Sequence, residues 1–380
     1  MGFSIYDIFR FAFFAVFTGL HLILMIGLYL EWHRDKRALK SASFTVMPFV
    51  SVIIPVHNEQ ERINGLLKTL ELQDYTQAEI IFVNDRSTDK TADIIDEYIK
   101  NNLIKSKLYV LSINENPGPN FKQYALGRGI EASKGELILF TDADCQLPQD
   151  WISSMVKRMA NPDTGAMLGP VFKKTGGRGF FHLYQCFEHG VRYMYLAAST
   201  GIGAAGGGFG NNMIFRRKCI DMIGGYDSVP SSLTEDAALI SIIRSKTKYR
   251  IRAGVLPDLH IITLGEKNWK DFIVQTLRWN NGGLFSPDLA TRLNFGFLMI
   301  TISMGILAIP LLPFIPSLWP LSAAVLISMT ANAIATLLVF GVSLPKKGAA
   351  YVLQCIFTPM YFTFLTILGL CGIKPKWKGN

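Results

Sequence analysis

Two aspartates one residue apart, Asp142 and Asp144, directly follow an apolar stretch that ends at Thr141. If that stretch is a strand, both carboxylates emerge together at its end. A hard divalent cation such as Mg²⁺ or Mn²⁺ takes oxygen ligands from one or two carboxylates and completes its shell with substrate phosphates. Bound there, it would neutralise charge on a departing diphosphate. An isolated Asp-x-Asp is a weak signal, because aspartates in turns also cap helices. Asp85 closes a second apolar run, so three carboxylates are candidates for one place.

The elements that must position them alternate. Val50 to Pro55 is a β-branched run of the kind that forms a buried parallel strand. Ile63, Leu66, Leu67 and Leu70 recur at helical spacing, Glu79 to Val83 is a second strand, and Thr88 to Ile99 reads as a helix capped by Ser87 or Thr88. Leu108 to Ile113, Tyr124 to Ala132 and Glu136 to Thr141 continue as strand, helix and strand. This alternation predicts an α/β fold with a mostly parallel sheet covered by helices. Ligands of such sheets bind outside the carboxyl ends of the strands. Four segments fall there: His57-Asn58-Glu59, Asn84-Asp85, Asn114 to Lys122, and Asp142-Ala143-Asp144.

The chain has 380 residues, 49% of them hydrophobic, and the apolar residues are unevenly distributed. Phe11 to Leu30, Phe295 to Leu344 and Ala349 to Ile373 carry no Asp, Glu, Lys or Arg. A membrane span needs roughly 20 apolar residues, so these runs predict one span before the α/β domain and about three after it. Arg34, Lys36, Arg37 and Lys40 follow the first run and place the next segment in the cytoplasm. Lys346 and Lys347 agree with that orientation, whereas Lys374, Lys376 and Lys378 agree only if the segment around Pro359 turns back as a re-entrant hairpin. The expected domains are 1–47 (span and basic linker), 48–265 (cytosolic α/β domain), 266–293 (interfacial region) and 294–380 (C-terminal membrane region). Trp269, Phe272, Ile273, Thr276 and Leu277, with Lys267 and Lys270, form the interfacial helix.

The net charge of +9 suits anionic lipid and a diphosphate ligand. No basic run interleaved with aromatics points to nucleic acid. Five scattered cysteines give neither a disulfide framework nor a zinc site. Gly201 to Gly206 spells G-x-G-x-x-G, but it runs on into further glycines instead of opening a helix after a strand, so it is not read as a dinucleotide site. That glycine-dense turn, with Gly208 and Asn211, could let an acceptor approach the backbone. His57, His182, His189 and His260 lack metal-ligand spacing and read as structural, and Lys173 to Arg178 reads as a solvated loop.

Ser51 to Glu59 (SVIIPVHNE), Asn84 to Asp89 (NDRSTD), Lys122 to Leu126 (KQYAL), Thr141 to Asp144 (TDAD), Thr234 to Asp236 (TED) and Gln275 to Trp279 (QTLRW) together resemble family 2 glycosyltransferases of the GT-A fold. The last two resemble the membrane-bound branch of hyaluronan, chitin and cellulose synthases and ceramide glucosyltransferase. The resemblance implies a UDP-sugar donor held by Glu59, Asp85, Lys122, Asp142, Gln275 and Arg278. It also implies a metal on Asp144 and Asp142, a general base at Asp236 supported by Glu235, and an acceptor site floored by Trp279. Phe121 replaces the family's usual glycine before Lys122, which weakens that one assignment. Trp279 could equally anchor the chain at the membrane boundary.

The implied reaction inverts an α-linked UDP-sugar, such as UDP-glucose, to a β-linked product. The acceptor is expected to be a membrane lipid, because the spans offer few polar groups to line a channel for a growing glycan. A processive polysaccharide synthase is the alternative, and a homo-oligomer could complete its channel. A non-catalytic sugar-binding subunit is more remote, since the acidic and basic set is intact.

Overall fold

Val50–Val56 is apolar and β-branched and buried along its length, so its backbone groups must pair on both sides. In the computed structural model, which describes residues 4–101, 106–118, 120–174, 176–177, 179–232, 234–341 and 348–375, it does so. Lys346, Lys347, Lys376, Lys378 and Arg178 lie outside the described residues.

In chain order the first elements are α1 (Ile5–Ser41), β1 (Val50–Val56), α2 (Asn64–Leu70), β2 (Ala78–Asp85), α3 (Thr91–Asn101), β3 (Lys107–Ile113), α4 (Phe121–Ala132), β4 (Leu137–Phe140) and α5 (Trp151–Arg158). They are followed by β5 (Thr164–Leu168), β6 (Val171–Lys174), α6 (Phe180–Gly201), β7 (Met213–Arg216), α7 (Arg217–Met222), α8 (Glu235–Lys246), β8 (Arg250–Ala253) and β9 (Ile261–Leu264). The chain ends with α9 (Trp269–Leu284), α10 (Leu289–Ala308), α11 (Trp319–Phe340) and α12 (Gly348–Leu370).

The main sheet runs β3-β2-β1-β4-β7-β5-β8. β1 pairs in parallel with β2 and β4, and β7 is antiparallel to both β4 and β5. β6 and β9 form a separate parallel pair. All seven early elements read from the sequence are present. The cap of α3 differs from expectation. The helix begins at Thr91, whose amide donates to Asp89 Oδ1 at 2.9 Å, while the Ser87 hydroxyl accepts from the amide of Asn58. Lys173 also departs from its reading as part of a solvated loop. It lies on β6 and is 5% exposed.

Among the described residues, four helical segments are long and apolar enough to cross a membrane: Ile5–Ser41, Leu289–Leu311, Pro316–Phe340 and Val352–Leu370. α1 continues past its apolar stretch and docks on the sheet domain through buried charge. Asp35 pairs with Arg158 and accepts the amides of Val255 at 2.7 Å and Leu256 at 3.0 Å. Arg158 also forks onto Asp258. Higher up, Gly27 faces Gly201, where a Cβ would stand 1.9 Å from the Gly27 carbonyl oxygen. The first glycine of the G-x-G-x-x-G string therefore serves a close crossing of α1 and α6. α12 runs unbroken through Pro359, so no hairpin forms there.

Candidate active site

The ends of β4, α4, α8 and the loop 202–212 meet. Lys122, in the first turn of α4, places its ammonium 2.6 and 2.8 Å from the two oxygens of Asp142 and 3.9 Å from Glu235. Burial works against the charged lysine, but Asp142, Glu235 and Asp236 outweigh it and hold its pKa above the ordinary range. The departure at Phe121 does not displace Lys122. The Phe121 ring instead lies 4.5 Å under the Arg86 guanidinium.

Asp236, in the first turn of α8, accepts the Gly210 amide at 3.0 Å and the Ala237 amide at 2.7 Å. Its pKa is raised to about 7, first by burial and then by Glu235, with Lys122 and Arg278 acting in the opposite direction. Glu235 accepts from Asn120, which also caps α4 through the Gln123 amide. A carboxylate held near neutrality can take a proton in one step and release it in the next.

Asp144 is raised by burial and then by Asp142, against a hydrogen bond with Thr263 and the charges of Arg62 and Lys122. Asn211 donates to Cys145 Sγ at 3.4 Å, which places it beside this motif. Glu59 sits at the end of β1 in a forked pair with Arg62. Asp85, 4% exposed, accepts from Arg86 at 2.7 Å on Oδ1 and 3.5 Å on Oδ2, and from Asn116 at 2.8 Å on Oδ2. Asn58 and Arg86 both take φ of 55°, an uncommon left-handed conformation at the ends of β1 and β2. Gly208 is packed against Leu168 and Met213, where a Cβ would come within 3.0 Å of each side chain.

The QTLRW segment lies on α9 and faces the domain. Gln275 accepts from Lys173 and donates to Glu266 at 2.8 Å. The Trp279 ring has Lys173 5.5 Å and Arg192 5.2 Å from its centroid, and His189 beside it. Lys173 and His189 are buried and Arg192 half-buried, so the half-buried Trp279 ring packs against β6 and α6. Burial pushes Lys173 down to about 8, with Glu266, Glu188 and Asp144 opposing. His189 falls to about 4, chiefly through burial, and stacks on Phe209.

Sequence reasoning missed Lys173, Asn120, Gly210 and the α6 row Glu188, His189 and Arg192. The spacing of Glu188 and Arg192 marks a helical face, but nothing in it says that the face is buried at a site. Gly210 belonged to the glycine string that was considered, though its use as an amide donor to Asp236 leaves no side-chain signal.

No group of three or more His, Cys, Asp or Glu among the described residues could hold a metal by itself. Asp142 and Asp144 nevertheless fit a hard cation. They are oxygen donors at one strand end, and Asp144 is raised first by burial and then by Asp142, so a divalent charge between them would relieve the repulsion.

Strand-end carboxylates, a half-buried lysine paired with one of them and a near-neutral aspartate sit on a mostly parallel sheet of the nucleotide-diphospho-sugar transferase fold. Residues 51–224 match the model of glycosyl transferase family 2. Relatives include a β-monoglucosyldiacylglycerol synthase of Nostoc sp., 26% identical over 70% of this chain. A poly-β-1,6-N-acetyl-D-glucosamine synthase of Staphylococcus epidermidis is 28% identical over 62%. The chain spans 58% and 54% of those relatives' lengths. A mannosyltransferase of Pyrobaculum calidifontis, solved in complex with GDP-Man and Mn²⁺, shares the fold. Its TM-score is 0.57 and its identity 20%, over 97% of this chain and all of its own.

Proposed function

We propose that the protein transfers a sugar from a nucleoside-diphosphate donor, a UDP-sugar such as UDP-glucose, to a membrane lipid at the cytoplasmic face, with inversion. The observation that carries this reading is Asp236, raised to about 7 and aimed by the Gly210 amide into the cluster of Lys122, Asp142 and Arg278.

Asp85 supplies the carboxylate for the uracil N–H, Glu59 with Arg62 flanks it, and Asp142 lies where a ribose would sit. The acceptor hydroxyl oxygen attacks the anomeric carbon while Asp236 takes its proton, and the bond to the diphosphate breaks with its electron pair leaving on the phosphate oxygen. Lys122, Arg278 and Gln275 face that leaving charge, and a guanidinium can bind it through two parallel hydrogen bonds. Glu235 keeps Asp236 basic through like-charge repulsion. Asp144 and Asp142 would hold a Mg²⁺ or Mn²⁺ ion, whose chemistry is to neutralise the diphosphate. Trp279, Asn211 and the backbone at Gly208 border the acceptor side.

A lipid acceptor is supported by the relative that makes a glucosyldiacylglycerol. It is also supported by an apolar cavity of about 240 Å³ between α9 and α12, lined by Trp269, Ile273, Phe357 and Tyr361. A processive polysaccharide synthase remains the second reading, favoured by the other relative.

The test is incubation of the purified protein with radiolabelled UDP-glucose, UDP-N-acetylglucosamine, UDP-galactose or GDP-mannose and membrane lipids, followed by solvent partition. A chloroform-soluble product carrying one sugar, lost with EDTA and reduced 10²- to 10⁴-fold by Asp236→Asn, is expected. Labelled material that stays at the origin and yields to a polysaccharide hydrolase would establish the polymer reading instead. No turnover with any donor would leave a non-catalytic subunit.

A further inference from the structure

Where α1 leaves its apolar stretch, it borders a second cavity of about 350 Å³ that is lined by none of the residues the reaction uses: its walls are α1 with Ala42 and Ser43, α5 with the turn after it, β5 and β8. Its floor is the buried pair of Asp35 and Arg158. Its rim carries Arg34 and Arg37 from α1, Lys157 from α5 and Arg252 from β8. Five cations line it: Arg158 is matched by Asp35 and Asp258, Arg34 and Arg252 share the one carboxylate of Glu31, and Arg37 and Lys157 add two further positive charges. Both lining carboxylates are already engaged, Glu31 by Arg34 and the Ala253 amide and Asp35 by Arg158 and two amides. Arg37 and Lys157 are exposed and form no salt bridge among the described residues. The Arg252 guanidinium is held below its ordinary range first by burial and then, despite Glu31, by Arg34 and Arg250. The cavity is thus short of negative charge.

Its position says which anion could supply it. The same turn of α1 holds Tyr29 and Trp32, with the Lys36 ammonium 3.4 Å from the centroid of the Trp32 ring. Tyrosine and tryptophan with a nearby lysine mark the headgroup level of a bilayer. The basic rim therefore lies at the depth of lipid phosphates.

We propose that this cavity is a binding site for the phosphate of an anionic phospholipid headgroup, clamped between the membrane anchor α1 and the catalytic domain. The inference stands on the cavity and on α1 and does not depend on the reaction assigned above. It differs from general attraction of a basic segment to anionic lipid in one respect. Lys157 belongs to the folded domain, and the neighbouring cations Lys36 and Lys40 do not line the cavity.

The experiment uses the full-length protein in nanodiscs of phosphatidylcholine, with or without phosphatidylglycerol, and counts retained phosphatidylglycerol by native mass spectrometry. Each basic residue near a charged surface contributes about 1 kcal/mol, so Arg37→Gln with Lys157→Gln should weaken retention by roughly 25-fold. Lys36→Gln with Lys40→Gln should leave the tightly held lipid in place. Thermal unfolding in pure phosphatidylcholine, unchanged by either pair, confirms that both variants fold. Equal loss from both pairs, or loss from neither, overturns the site. Displacement of the lipid by millimolar inorganic phosphate would show a free-anion site and overturn the lipid assignment.

Discussion

The role of Asp236 makes a quantitative prediction through its neighbour. A Cβ built on Gly210 stands 3.5 Å from both Asp236 Oδ2 and Glu235 Oε1, so those oxygens are at most twice that distance apart. At an effective dielectric near 20, two charges at that upper limit of about 7 Å repel by about 2.4 kcal/mol, so the unscreened repulsion is worth at least about 1.7 pK units. Lys122, 3.9 Å from Glu235, screens part of this, which leaves an expected effect of about one unit. Glu235→Gln removes the repulsion and lowers the Asp236 pKa from about 7. Asp236 acts only when deprotonated, so kcat/KM rises with pH through that value. In the wild type the acidic limb should therefore centre near pH 7, and in Glu235→Gln it should move about one unit lower with the plateau retained. The assay is initial-rate transfer across pH 5 to 9 at fixed ionic strength. An acidic limb unmoved by Glu235→Gln, but abolished with the activity in Asp236→Asn, would refute the coupling. A limb that persists in Asp236→Asn would refute the base itself.

Lys173, lowered to about 8 and holding Gln275, is charged only below that pH, so transfer should fall as pH rises through it. Lys173→Arg should move this alkaline limb upward, and Lys173→Met should lower kcat below about pH 8 and remove the limb. Asp35→Asn leaves the buried Arg158 with one partner and should destabilise the protein by about 3 kcal/mol, read as a lower unfolding temperature in detergent. Gly201→Ala drives a methyl into the Gly27 carbonyl and should separate α1 from α6, read as the same loss of thermal stability with the soluble domain's CD retained.

The sheet was legible because its strands are continuous β-branched runs ended by turn residues. Val50–Val56 and Ala78–Asp85 announce themselves by composition, and the ligand rule then directs attention to Asp85, Asp142 and Asp144. Lys122 was legible although its preceding residue departs from the family pattern, since the position on α4 decides where the ammonium goes. Lys173 was not. Its neighbour Lys174 is exposed, and a strand of four residues with two lysines carries no periodicity that tells one face from the other. Asp35 and Glu31 were hidden for a related reason. They sit among the basic residues that mark a membrane boundary, and only the docking of α5 and β8 shows that they are buried.

The C-terminal tail shows what contacts add to charge counting. Lys374 opposes the orientation set by the first basic cluster if α12 simply crosses, and composition alone does not decide this. α9 is tied to the catalytic domain twice, at Gln275 by Lys173 and at Gly282, which abuts Thr234. α12 follows α9 along its length. Phe357 meets Trp269, Tyr361 hydrogen-bonds Thr276 at 2.5 Å, and the carbonyl of Ile373 accepts from Asn281 at 3.0 Å. The preceding helix α11 ends with Phe340 against Phe172 and His260 of the same domain. α11 thus ends beside the catalytic domain, and α12 from Phe357 onward runs along the α9 that is tied to it. Leu353, Ile356, Met360, Phe364 and Ile367 form a single exposed stripe, while Gln354, Thr358 and Thr366 are buried on the other side. One apolar face and one packed polar face suit a helix laid along the membrane boundary. A cysteine at Lys374 should therefore be labelled from the same side of sealed vesicles as a cysteine at Gln77, in agreement with the basic residues of the tail. Labelling from the opposite side would mean that α12 crosses the bilayer fully and that its contacts with α9 are made at depth.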